Sequence, residues 1–198
     1  MTIQVHDTTC RSCGAPAEIG QTKCKFCKNP VVISTFNSVY AMPMPMINQY
    51  VAAYREALQT EPDAKDLNNS IAMCYLKLKL YDKALSAFEK AIESNVDNPE
   101  TFFYAAICLL KGKKAFLAQR TEIDKIEEYI NAAVLLEPQK GIYHYFWAYI
   151  KYDYFERKSL NTNPTYQAKL AEAKAAGLSP VDVEQLFGIL GVPRPEGL

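Results

Sequence analysis

The sequence is poor in histidine, with only His6 and His144, and it has no surplus of either charge, 22 Lys+Arg standing against 22 Asp+Glu. Two isolated histidines are a thin basis for general acid–base chemistry. A chain of zero formal net charge lacks the bulk attraction that draws basic proteins to nucleic acid or anionic membranes. Also missing are a glycine-rich phosphate loop, a His-Glu metalloprotease helix and a nucleophile elbow, so the chain reads as non-enzymatic. No run reaches the roughly 18 to 20 apolar residues of a membrane helix; the longest, around Ala105 to Leu110, stops at Lys111. The first residues, Met1 to Asp7, have neither the basic nor the apolar region of a secretory signal. The expectation is a cytoplasmic protein with no membrane insertion. In that reducing compartment, regularly spaced cysteines act as metal ligands rather than disulfides. At 49% hydrophobic residues, whole-chain disorder is excluded.

Against these absences stand six cysteines, four of them spaced Cys10-x2-Cys13-x10-Cys24-x2-Cys27. Each CxxC is the size of a tight knuckle that turns two thiolates toward one ion. Four thiolates in tetrahedral array select zinc, with iron as the alternative. Gly14, directly after Cys13, stands where such a turn needs positive φ. Ala15 to Gly20 read as a short strand and turn, and Val31 to Phe36 as a β-rich run. Over about residues 8 to 36 the segment resembles the short bacterial zinc-ribbon family, which implies a closed structural Zn2+ site formed by Cys10, Cys13, Cys24 and Cys27. A piece this small depends on its metal to fold. Residues 1–40 carry about +2, from Arg11, Lys23, Lys25 and Lys28 against Asp7 and Glu18, a mild bias that leaves a nucleic-acid contact as an alternative use of the ribbon. Phe26, between the second pair of ligands, either packs over the hairpin or stacks on a base.

Residues 37–46 read as a linker, because the alternating prolines of Met42-Pro43-Met44-Pro45-Met46 oppose a helix and favour extended chain. Its methionines are expected to pack on the helical domain and fix the ribbon there, or to form an exposed partner contact. The domain reading is therefore a ribbon at 1–36, a Met/Pro linker at 37–46 and a helical domain at 47–198.

From residue 47 the apolar spacing is helical throughout, and it repeats. Tyr50-x3-Tyr54-x2-Ala57-x4-Pro62 recurs as Ala84-x3-Phe88-x2-Ala91-x4-Val96 and as Ile126-x3-Ile130-x2-Ala133-x4-Pro138. Ahead of these, Ile71, Ala72 and Tyr75 align with Ala105, Ala106 and Leu109, and with Tyr145, Phe146 and Tyr149. Over about 110 residues the chain resembles the tetratricopeptide repeats. Phe146 departs from the pattern, since a bulky residue stands where close helix approach favours Gly or Ala. The resemblance implies a mostly α fold, an antiparallel helix-pair solenoid following the small β module. The spacing places a lone helix at 46–60, pairs at 64–79 with 81–94, 98–111 with 122–136 and 139–157 with 163–176, and a closing helix at 180–190. Ser179 is that helix's N-cap, Pro180 its first residue and Gly191 its stop. Between the helices of the second pair, within Lys111 to Arg120, lie about eight extra residues, read as a surface extension or a partner lobe. Cys74 and Cys108 fall at equivalent positions and read as core residues.

In such repeats the first helix of each pair lines the concave face. Counting from the register gives Met73 and Leu76, then Phe103, Ile107 and Leu110, then Tyr143, Trp147 and Ile150 as a candidate partner-binding groove, apolar and rimmed by lysines. The aromatic helix Tyr143 to Phe155 is apolar nearly all round, so something should cover it. The candidates are a partner helix or peptide anchored by Trp147 and Tyr143, a second copy of the chain, or the closing helix folding back through Val183, Leu186, Phe187 and Leu190. The sequence thus points to a protein-interaction adaptor or scaffold with structural zinc. Its alternative is a regulator whose ribbon touches nucleic acid while the repeats bind protein.

Overall fold

The computed structural model describes residues 8–198; residues 1–7, with His6 and Asp7, lie outside it. The chain divides into two compact units, one running to Val96 and the other spanning Asp97–Leu198. This division differs from the expected boundaries at residues 36 and 46. The ribbon is too small to cover its own apolar face and instead shares a unit with the helices that follow it.

In the first unit, β1 (Thr8–Cys10) pairs antiparallel with β2 (Val31–Ile33), with Thr9 opposite Val32. Thr8, Cys10, Val31 and Ile33 are buried while Thr9 and Val32 are only partly covered, the alternation of a sheet with one face on a core. Of the strand expected at residues 15–20, only an isolated bridge between Thr9 and Pro16 forms.

The expected linker is largely helical. Phe36–Ala41 form α1, and α2 spans Met44–Thr60. The prolines do not prevent this because Pro43 is the N-cap and Pro45 lies in the first turn, where a helix needs no N–H. Met42 is buried, and the Met46 side chain lies against Gly20, within 3.3 Å of where a Cβ on that glycine would stand. Two of the methionines thus pack as expected, while Met44 is half exposed.

Next come α3 (Lys65–Lys77) and α4 (Tyr81–Ser94), packed as an antiparallel pair with α2 against α3. Ala72, Ala84 and Ala91 allow the close approach, and Phe88 is fully buried beside them.

The second unit holds α5 (Pro99–Leu109) paired with α6 (Arg120–Leu136), α7 (Gly141–Ile150) paired with α8 (Tyr166–Ala175), and α9 (Pro180–Leu190). Asn98 caps α5 by accepting from the N–H groups of Glu100 and Thr101. Ser179 caps α9 ahead of Pro180, and Gly191 ends it at φ +68°, as its sequence implied. Gly141 is required by packing. A Cβ there would stand 2.7 Å from the Leu178 nitrogen and 2.8 Å from the Ala173 carbonyl, so the start of α7 lies on the end of α8.

Beyond Ile150, α7 continues as a π-helical turn over Lys151–Phe155. The extra residues between α5 and α6 are not a free lobe. Ala115 is fully buried and donates its N–H to the Tyr149 hydroxyl, while Phe116 donates its N–H to the buried Asp153 carboxylate at 2.8 Å. Arg157 supplies the countercharge to Asp153.

Candidate metal centre and interaction surfaces

The two CxxC knuckles fold identically. Cys10 donates its N–H to the Ala15 carbonyl and Cys24 to that of Asn29, while Gly14 and Lys28 donate back to the carbonyls of Cys10 and Cys24. The residue after each second cysteine has positive φ, Gly14 at +68° and Lys28 at +64°. The sequence signals this strained position in the first knuckle, where it is glycine, and hides it in the second.

The four Sγ atoms lie within 4.8 Å of one another. Three separations are 3.3 Å (Cys10–Cys27), 3.7 Å (Cys13–Cys24) and 3.7 Å (Cys13–Cys27). With zinc–sulfur bonds of about 2.3 Å, a regular tetrahedron has sulfur–sulfur edges of about 3.8 Å, so the cluster has the dimensions of a four-thiolate metal site.

The electrostatics of the cluster agree. Burial pushes the Cys10 thiol up, but the backbone N–H groups of Cys13 and Ser12 and the neighbouring sulfurs outweigh it and bring it down to about 6. Cys24 is likewise lowered by the N–H groups of Cys27 and Phe26. At Cys13 the Ala15 N–H favours the thiolate, yet its hydrogen bond with Cys10, with burial and the sulfurs of Cys27 and Cys24, drives it up to about 12. The backbone N–H groups of each knuckle thus favour the thiolate at its first cysteine, the form in which a thiol ligates a metal.

The ribbon is fastened to the helices behind it. The Tyr54 hydroxyl, fully buried, donates to the Val31 carbonyl at 2.8 Å. Gly20 donates its N–H to the Tyr50 hydroxyl, which donates in turn to the Gln21 carbonyl. Ser70 of α3 accepts from the Ile33 N–H and donates to the Ile33 carbonyl, standing in for a further strand. Arg11, inside the first knuckle, reaches Glu61 at 2.7 Å and Asp66 at 2.9 Å.

The ribbon's lysines are also engaged: Lys23 with Glu56, Lys25 with Glu18, and Lys28 with the Lys25 carbonyl. Phe26, by contrast, is 78% exposed and does not pack over the hairpin.

Of the eight residues read as a groove, Met73, Leu76, Phe103, Ile107, Leu110, Tyr143 and Ile150 are buried, and only Trp147 is partly exposed. Met73 and Leu76 lie in the first unit and the other six in the second. Phe103 packs 4.8 Å from the Tyr143 ring and edge-on to Phe146 at 5.6 Å. Phe187 of α9 meets Tyr145 and Tyr149 edge-on at 6.3 and 5.4 Å, so the closing helix covers that side of the aromatic helix. Val183, Leu186 and Leu190 are buried with it. Within each unit these residues are thus largely buried, and in the second the closing helix supplies an internal covering.

Around Trp147 the surface is polar. Its indole N–H donates to Glu127 at 2.8 Å, Lys169 stands 4.0 Å over its ring, and Lys151 pairs with Glu127 while donating to Thr162. His144 lies between the Pro138 carbonyl and the Glu172 carboxylate, which gives it a structural role. Cys74 and Cys108 are fully buried, and burial pushes the Cys74 thiol up to about 12.

No protein-family model matches the sequence, and no curated protein does. Solved structures do match. That of "MamA RS-1 ArsTM double mutant" superposes with a TM-score of 0.54 at 16% identity, covering 71% of this chain and 74% of that one. That of "MamA MSR-1 C2" gives 0.49 at 17% identity, covering 76% and 78%. MamA is a tetratricopeptide-repeat protein. The helical part of this chain has the tetratricopeptide fold. At such identity the likeness extends to the fold alone, in agreement with the helix pairs α3–α4, α5–α6 and α7–α8. None of the helices described is long and apolar enough to cross a membrane.

Proposed function

We propose that this chain is a non-enzymatic adaptor in which a structural zinc ion, held by Cys10, Cys13, Cys24 and Cys27, fixes the ribbon onto the first helices while the repeats receive a partner polypeptide or a second copy of the chain. The observation that carries the reading is the strapping of the knuckle to α2 and α3 through Arg11, Tyr50, Tyr54 and Ser70. A catalytic metal site keeps an open position, whereas here all four positions are thiolates and the residues behind them serve packing. Four free thiols persist as ligands in a reducing compartment, which suits the cytoplasm. Trp147, with Lys169 and Glu127 beside it, is the partner contact within the set predicted from the sequence, because it alone of those eight reaches the surface and aromatic anchors dominate binding energy.

Two measurements test this. Elemental analysis should find one zinc per chain, lost in Cys13→Ser together with Cys27→Ser. Cross-linking in the native host should yield adducts that Trp147→Ala removes without changing the helical circular dichroism. A chain that binds no zinc when folded, or adducts indifferent to both changes, would refute the proposal.

The exposure of Phe26 beside Lys25 and Lys28 favours a second reading, in which the ribbon touches nucleic acid by stacking. Salt-sensitive binding to mixed RNA and DNA, abolished by changing Lys23, Lys25 and Lys28 to glutamate, would establish it in place of the first.

A further inference from the structure

The three helix pairs differ at one packing position. Three residues ahead of Ala105 in α5 stands Phe102, and three ahead of Tyr145 in α7 stands Ile142, both buried. Phe102 lies 6.1 Å from the Tyr129 ring of α6. At the same place in α3, three residues ahead of Ile71, stands Asn68. Its side chain is shorter and turns away, donating from Nδ2 to the Pro62 and Ala64 carbonyls at 2.8 and 3.1 Å. This pair thus carries a small, buried polar side chain where the other two carry a large apolar one.

Above Asn68 lies a cleft of about 570 Å³ between α2 and α4, floored by Asn68, Ile71 and Tyr75 and walled by Leu58 and Ala87. Its rim is cationic: Arg55 on α2, and Lys83 and Lys90 seven residues apart on one face of α4, against one acid, Asp82. All of these residues belong to the first unit.

We propose that this cleft docks an acidic segment of a partner polypeptide, which lays one aromatic side chain over Ile71 and Tyr75 between Leu58 and Ala87. Ile71, Tyr75, Leu58 and Ala87 give the ring an apolar seat, and the cleft has room for the residues on either side of it. The rim sets three cations around the entering ring, favouring its π face as well as flanking carboxylates. A second copy of this chain is a poor occupant, because Phe26, the most exposed ring among the described residues, stands beside Lys25 and Lys28. The inference rests on the adaptor reading in taking a polypeptide as the ligand, but it concerns a surface separate from Trp147.

The test is a fluorescence-anisotropy titration of the full zinc-loaded chain with a short labelled peptide of Asp, Glu and Ser around one central Trp. The expected result is saturable binding that weakens about tenfold or more, some 1.4 kcal/mol, in each of three changes: Trp→Ala in the peptide, Asn68→Phe in the cleft, and Lys83→Glu with Lys90→Glu on the rim. The rim variant alters exposed side chains and decides the matter even if Asn68→Phe fails to fold. Absence of binding, or binding that survives the peptide change or the rim change, would overturn the proposal. Such a failure alongside intact zinc and Trp147-dependent adducts would remove the cleft and leave the adaptor reading standing.

Discussion

Tyr54→Phe isolates the link between metal and repeat. The substitution keeps the buried ring and deletes one hydroxyl, which donates to the Val31 carbonyl at 2.8 Å in a site with no solvent exposure. A hydrogen bond of this kind contributes about 0.5 to 1.5 kcal/mol net, and leaving a buried acceptor short of its donor costs about 1 to 3 kcal/mol. A loss near 1.5 kcal/mol is therefore expected. The bond exists only when the ribbon is folded, and the ribbon is expected to fold only with its metal. The loss should accordingly appear as a roughly tenfold weaker apparent zinc affinity, at about 1.4 kcal/mol per tenfold. Competition with a chromophoric chelator measures that affinity, and urea unfolding of the metal-free chain is the control, in which the variant should match the parent within about 0.5 kcal/mol. Affinity unchanged within twofold would refute the reasoning. So would an equal loss of stability with and without zinc, because Tyr54 would then serve the helices alone.

Four other outcomes are expected. Gly141→Ala should lower stability by about 1 to 3 kcal/mol in urea unfolding, since its Cβ would meet backbone atoms of Leu178 and Ala173; Gly14→Ala, with nothing within 4 Å, should cost only the strain of positive φ, about 1 kcal/mol. Phe103→Ala should cost about 3 to 5 kcal/mol by opening a cavity among Tyr104, Tyr143 and Phe146, whereas a groove residue would leave the urea midpoint unmoved. At Glu172 burial raises the carboxyl pKa, but Lys169 and His144 outweigh it and hold it below the usual range. Its contribution is therefore complete above its unfolded pKa of about 4.3 and is lost as pH falls through the depressed folded value; Glu172→Gln should flatten that acid limb in pH-dependent unfolding.

Some features were legible in the sequence because they are local. Two CxxC knuckles need only short-range turns, and their spacing identified the four thiols that the structure brings within 4.8 Å. Helix periodicity and caps were equally local: Ser179, Pro180 and Gly191 bound α9 where its sequence placed it. The Met/Pro segment was misread because proline opposes a helix interior but not a first turn, and only the start of α2 at Met44 reveals which applies. The groove residues were assigned to a face correctly spaced for a helix, yet spacing does not say what lies across from that face. Asp153 had a usable signal, being an acid within an aromatic run that had to find donors; the Phe116 N–H and Arg157 supply them.

By itself the sequence determined the helix pairs, the gathering of Cys10, Cys13, Cys24 and Cys27 and the burial of Cys74 and Cys108, because periodicity and knuckle spacing act over a few residues. Tertiary structure alone decided that the ribbon packs on the helices behind it, that the residues read as a groove are largely buried, and that a cationic-rimmed cleft lies between α2 and α4. Each of those depends on which surfaces meet, and a surface is covered or left bare by residues far away in the chain.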